Sequence, residues 1–307
     1  MALGSPLILR LKMLKFGQRV RADGPPEHLK KSGIPTMGGV IILAGLTLSL
    51  LVVARRDLDV LWALFVTLGF GLIGLADDFI MIILRRSLGL RARAKLAGQV
   101  LISLILAVYC LSRPDLGTAI TLPFVGTKVD PGLLYIPFAV LVVVGSSNAV
   151  NLTDGLDGLA AGTSAIAATA YVVVCYAIGK DSLAVFPAAI AGACMGFMWF
   201  NAHPAQVFMG DTGSLALGGA FGALALLSKT ELLLAIIGGV FVIEALSVML
   251  QVIYFKWTGG RRILKMSPIH HHFELSGWLE PKVVVRFWIV GCIFAMLGII
   301  SVICSGR

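Results

Sequence analysis

The sequence predicts an all-α fold, a polytopic integral membrane helix bundle, and three observations predict it. Of 307 residues 58% are hydrophobic and only 13% charged, and the mean hydropathy is +0.94, a composition outside the range of soluble globules. Nine apolar runs approach the roughly 17 to 25 residues that cross a bilayer as helix. The basic residues, finally, concentrate in alternate loops, as they do when they set topology.

The runs fall at about 38–54, 60–76, 96–111, 132–150, 158–178, 183–200, 213–228, 232–255 and 283–303. The first is the earliest strong run and is followed by too many others to be a cleavable secretory signal. The second stops at Asp77 and Asp78, and the third is the shortest. Those at 158 and 213 follow Asp154, Asp157 and Asp211, residues favoured at helix N-caps. The eighth carries Glu244 and, seven residues on, Gln251 on the same helix face; a carboxylate there should face the bundle interior or a cavity. The last contains Arg286. No domain linker or low-complexity tract interrupts them, so residues 1–307 read as one domain, with 1–37 as a basic arm.

Seventeen of the 25 Lys and Arg lie in the arm (Arg10 to Lys31), the loop from Asp77 to Lys95, and the loop from Lys256 to Lys282. The alternate loops and the C-terminus hold seven. This asymmetry places the first group, and the N-terminus, in the cytoplasm. It also accounts for the net charge of +9 without a nucleic-acid partner, and a basic inner rim suits anionic membrane lipids or a nucleotide.

Every polar, unusual loop falls on that same side. They are G-I-P-T-M-G-G at 33–39, A-D-D-F around Asp77, N-A-V-N-L-T-D-G-L-D-G at 148–158, F-N-A-H-P-A-Q-V-F-M-G-D-T-G at 200–213, and S-P-I-H-H-H-F-E at 267–274. Asp, Asn, His, Lys and Gly gathered on one face of a helical scaffold describe a catalytic face. Asp77 and Asp78 are its sharpest feature. At the C-terminus of a helix ending near 76 they would oppose the dipole and repel each other, so capping does not explain them and a cation should be near. Mg²⁺, which favours carboxylate and phosphate oxygens, is the simplest candidate. For Asp154, Asp157 and Asp211 helix capping and function stand level. Lys31, Lys95 and Arg93 serve as topology signals by default, and Gly38, Gly39, Gly155 and Gly158 serve tight turns or close helix contacts.

Three consecutive imidazoles, His270, His271 and His272, cannot all turn from water, and neighbours rarely bind one ion, so they suit phosphate or substrate contact. Cys110, Cys175, Cys194, Cys292 and Cys304 show no pairing pattern and read as small core residues.

Taken together and in this order, the five motifs resemble the phospho-N-acetylmuramoyl-pentapeptide transferase family, a branch of the polyprenyl-phosphate hexosamine-1-phosphate transferases. The acidic motifs are common to the wider group, and P-I-H-H-H-F-E points to the muramoyl-pentapeptide branch. The resemblance implies transfer of phospho-N-acetylmuramoyl-pentapeptide from UDP-N-acetylmuramoyl-pentapeptide to undecaprenyl phosphate, giving lipid I and UMP, in a bacterial inner membrane with the active site facing the cytoplasm. It implies Asp211 as ligand of Mg²⁺, and Asp77 and Asp78 as groups that bind or deprotonate the lipid phosphate, or supply a nucleophile. Asn151, Asp154, Asn201 and Phe208 align with positions that hold uridine or support the metal site. Lys31, Thr36, Lys95, His270, His271 and His272 align with polar contacts around diphosphate and sugar, and Asp157 belongs to the same substrate-binding set. A homodimer is also implied. The chain departs from the pattern in two places: it has nine spans where the family usually has ten, and Met81 stands where Lys is common. Two other readings are kept, a sister transferase using UDP-N-acetylglucosamine and a membrane transporter.

Overall fold

The computed structural model describes residues 4–13, 31, 33–53, 57–84 and 89–306. Lys30, Arg55, Arg56, Arg85, Arg86 and the basic residues between 15 and 21, on which the charge asymmetry partly rests, lie outside the described residues.

The structure is an all-α bundle. Among the described residues, eight helices are long and apolar enough to cross a membrane: α3 (Leu58–Ile83), α4 (Ala92–Ser112), α5 (Tyr135–Thr153), α6 (Leu159–Ala177), α7 (Asp181–Asn201), α8 (Gly210–Ser228), α10 (Gly239–Trp257) and α12 (Glu280–Cys304). A ninth apolar helix, α2 (Gly39–Val53), is shorter at 15 residues. Five differences from expectation matter. The run at 232–255 is broken at Gly238 into α9 (Glu231–Ile237) and α10. The basic arm begins with a helix, α1 (Gly4–Met13), which buries Ile8 and Leu11. The histidine run forms the short α11 (Ile269–Glu274), and the loop after α4 carries a two-stranded antiparallel hairpin, Ile120–Thr121 with Lys128–Val129. Most consequentially, α3 does not stop near residue 76: it runs to Ile83, placing Asp77 and Asp78 inside the helix. The helix-end argument for a nearby cation therefore does not hold.

At the centre stands α8, buried at every residue from Thr212 to Ser228. A helix apolar and small on all sides can be surrounded by others. Its neighbours are α2, α3 and α5, which approach closely because glycines line the contacts. A methyl group at Gly39 would lie 2.1 Å from the Gly213 nitrogen, and one at Gly74 would lie 2.1 Å from the Asp211 carbonyl oxygen. Those contacts hold α2 and α3 against the first turn of α8, where the acidic motifs meet. Of the cysteines, Cys110, Cys175 and Cys194 are buried as expected, whereas Cys292 and Cys304 lie on the outer surface. In a bilayer that surface faces lipid, which accepts a small apolar side chain as readily as a core does.

Candidate active site

The site is assembled at one end of the bundle, around the N-terminus of α8. A helix start leaves backbone N–H groups without intrahelical acceptors and carries partial positive charge. Here two carboxylates from other helices fill that role. Asp78 of α3 accepts from the Asp211 nitrogen (3.1 Å) and the Thr212 nitrogen (3.0 Å), and the Thr212 hydroxyl donates to it at 2.6 Å. Asp154, just past the end of α5, accepts from the Gly210 nitrogen. Capping therefore does explain Asp78, but across helices, a relation that sequence spacing cannot reveal. Conversely, none of the three predicted N-caps holds. The N-cap of α6 is Gly158, in the left-handed region at φ 79°, and α8 starts before Asp211.

Asp77 and Asp211 are left for chemistry. Asp77 accepts from the Leu90 nitrogen (2.9 Å), and its carboxyl meets that of Asp211. Asp211 pairs with Lys95 of α4 and accepts from the Asn151 amide of α5 at 2.8 Å, while the same amide reaches the Ser214 hydroxyl. Thr36 is buried beside Gly210 and Asp78. Its segment is tied to the loop before α8: the Phe208 nitrogen donates to the Pro35 oxygen, and the Gly38 nitrogen donates to the Phe208 oxygen, each at 2.8 Å. Thus Thr36, Asp77, Asp78, Lys95, Asn151, Asp154, Phe208 and Asp211 come together.

Asp154 is partly exposed, yet the protein packed around its carboxyl, reinforced by the negative charges of Asp211, Asp78 and Asp157, pushes it up to about 8. Among the described residues, the carboxyls of Asp77, Asp78, Asp154 and Asp211 gather around the one ammonium of Lys95, and an all-oxygen donor set of this kind suits a hard divalent cation such as Mg²⁺. The residues thus fit the metal expected at Asp211.

A second cluster adjoins the first. Lys31 donates to Asp157 (2.7 Å) and to Glu280 (2.6 Å), Glu280 accepts from the Asp157 nitrogen (2.8 Å), and His203 lies 3.2 Å from Asp157. Asp157, His203 and Glu280 form the one metal-sized group of three such ligands among the described residues, and the Lys31 ammonium already bonds two of them. Asn201 is buried, accepting from the Gly158 nitrogen (3.0 Å) and donating to the Val207 oxygen (2.9 Å), so it brackets the loop from its underside.

The histidines divide. His270 turns inward and is 1% exposed, His271 pairs with Glu274 (2.7 Å), and His272 accepts from the Lys265 nitrogen at 3.1 Å. The expectation that such a run stays out of the core fails for His270, because Glu244 of α10 offers it a buried partner. Thr212, Ser214, His203 and Glu280 were not singled out by sequence reasoning. Thr212 and His203 sit inside the 200–213 motif and Ser214 directly follows it, while Glu280 reads only as the acid expected in a first helical turn.

These features define a class, a membrane-embedded transferase built around carboxylates gathered at the start of α8, and the comparisons agree. The profile for glycosyl transferase family 4 matches residues 60–229, and the phospho-N-acetylmuramoyl-pentapeptide-transferase signature 1 matches residues 31–43. The chain is 53% identical to the phospho-N-acetylmuramoyl-pentapeptide-transferase of Halalkalibacterium halodurans over 300 residues, covering 96% of this chain and 92% of the relative. The proteins of the same name from Anoxybacillus flavithermus and a Geobacillus strain are 52% and 51% identical, at the same coverage. The chain belongs to the phospho-N-acetylmuramoyl-pentapeptide-transferase family.

Proposed function

We propose that this multi-pass membrane protein transfers phospho-N-acetylmuramoyl-pentapeptide from its UDP carrier to undecaprenyl phosphate, giving lipid I and UMP. The observation that carries the reading is the meeting of Asp77, Asp211 and Lys95 at the start of α8, in a chain about half identical to transferases of that name. In the reaction an oxygen of the lipid phosphate bonds to the β-phosphorus of the diphosphate and the bond to UMP breaks. Two anions must approach, so positive charge at the site is the main requirement.

Lys95 supplies part of that charge and keeps the Asp211 carboxylate turned toward the site. Asn151 orients Asp211 from the other side through its amide. Mg²⁺, held by Asp211 with Asp77 beside it, would supply the remaining positive charge for the diphosphate oxygens. Asp78 has its oxygens engaged by the first turn of α8, so of the two adjacent acids Asp77 is the one that meets the lipid phosphate. A phosphate monoester is already largely ionised at neutral pH, so direct attack needs no strong base. Phe208, Asn151 and Asp154 border the nucleotide, Thr36, Lys31 and Asp157 lie toward the diphosphate and sugar, and His271 and His272 rim the donor side.

The seven basic residues of the N-terminal arm, with those of the 77–95 and 256–282 loops, support a cytoplasmic active site in an inner membrane. The resemblance adds a homodimer. The match to the muramoyl-pentapeptide signature favours that donor over UDP-N-acetylglucosamine. Glu244 and Gln251 are engaged with His270 and the 263–264 backbone, which disfavours a transport path. The test is Asp211→Asn and Asp77→Asn: both lose UMP release while inserting and folding, and wild-type rates in both would overturn the proposal.

A further inference from the structure

The polar seam of α10 has no part in the reaction above. Glu244, Ser247 and Gln251 face inward at spacings of three and four residues, and all are buried. Gln251 clamps the loop that leads to α11: its Oε1 accepts from the Ile263 and Leu264 nitrogens (3.1 and 3.0 Å), and its amide donates to the Leu264 oxygen. Glu244 is fully buried, and neither of its oxygens accepts a well-aligned hydrogen bond from the described residues. The His270 Nδ1 lies 3.1 Å from Glu244 Oε1, and His270 is the one ionisable side chain paired with it there. A buried carboxylate within a membrane helix is costly and calls for a partner with a purpose.

The other edge of the ring points to that purpose. A methyl group at Gly155 would lie 2.2 Å from His270 Nε2, so the imidazole rests directly on the backbone between Asp154 and Asp157. Neither ring nitrogen makes a well-aligned hydrogen bond among the described residues, so the carboxylate beside Nδ1 is what favours the proton there and sets which edge the ring turns to the loop. We propose that Glu244 is a positioning residue: it sets the His270 ring so that its Nε2 edge packs against Gly155 in the Asp154–Asp157 loop, and thereby shapes the pocket for the nucleotide-sugar donor. The acceptor side, formed by Asp77 on α3 and Lys95 on α4, does not touch this pair. This rests on the donor reading of that loop.

A double-mutant cycle of Glu244→Gln and His270→Asn tests it, with donor and lipid-phosphate kinetics measured separately. Residues that position a first contact typically cost 10- to 100-fold when removed. Each single variant is expected to raise the KM for the UDP donor about tenfold or more, to leave the KM for undecaprenyl phosphate unchanged, and the double variant to be no worse than the poorer single. Multiplying effects, equal changes in both KM values, or a wild-type Glu244→Gln would overturn the proposal. Gly155→Ala displaces the ring with Glu244 intact, so it should reproduce the donor defect should Glu244→Gln not fold; donor kinetics like wild type in Gly155→Ala would also overturn it. Wild-type UMP release in the same assay reports on the transferase reading by itself, and calorimetric binding of UDP reads the same cycle without turnover.

Discussion

Replacing Asp78 with alanine should destabilise the protein far more than replacing Asp77, although the two are adjacent. Asp78 accepts three hydrogen bonds from the first turn of α8, at 3.1, 3.0 and 2.6 Å, and is 1% exposed. Hydrogen bonds to a charged group contribute roughly 1.5–3 kcal/mol each but are not additive, and loss of a cap costs about 0.5–2 kcal/mol. Losing this cap together with a buried acceptor should cost about 2–4 kcal/mol, which lowers the unfolding midpoint by roughly 5–15 °C. Asp77 accepts one backbone hydrogen bond and faces another carboxyl, so Asp77→Ala should leave the midpoint unchanged or slightly raised in metal-free buffer. With the exposed Cys292 and Cys304 replaced by serine, the buried thiols of Cys110, Cys175 and Cys194 make a thiol-reactive dye a direct reporter of unfolding in detergent. Equal midpoints for the two variants, or a larger drop for Asp77→Ala, would refute the division between a structural and a reactive aspartate.

Other expectations follow from the same geometry. Gly74→Ala places a methyl 2.1 Å from the Asp211 carbonyl oxygen, where only backbone can yield; α3 and α8 must separate, and UMP release should fall at least tenfold with a lowered midpoint. Lys95→Ala leaves Asp211 without its cation and should reduce turnover at least 100-fold, while the Mg²⁺ concentration for half-maximal activity stays the same or falls because the ammonium no longer competes for the carboxylate, read by a metal titration. Asp154, ordinarily near 3.8, is pushed up to about 8, so the folded protein holds a proton there that the unfolded chain has released. Metal-free stability should therefore fall as pH rises through that value, and Asp154→Asn should flatten the slope in midpoints measured from pH 6 to 9.

Much of this was legible in the sequence because hydropathy in a bilayer admits few alternatives to helices. The apolar runs located the spans, and the five polar loops on one side located the site. What escaped were relations across space. In the sequence the α3 run ends at Asp77 because two charges interrupt it, yet the helix continues to Ile83 since α8 supplies backbone donors to Asp78. Asp154 and Asp157 look like caps for α6 in linear order, but one reaches Gly210 and the other Lys31 and Glu280. His270 looks exposed in a run of three until Glu244, 26 residues earlier, provides a buried partner.

The central claim is the reaction itself. The most direct measurement is UMP release by the purified protein in detergent with undecaprenyl phosphate and Mg²⁺, comparing UDP-N-acetylmuramoyl-pentapeptide with UDP-N-acetylglucosamine. The account predicts release with the first donor alone, dependent on both lipid and metal. Release with the second donor alone, or with neither in a well-folded sample, would contradict it.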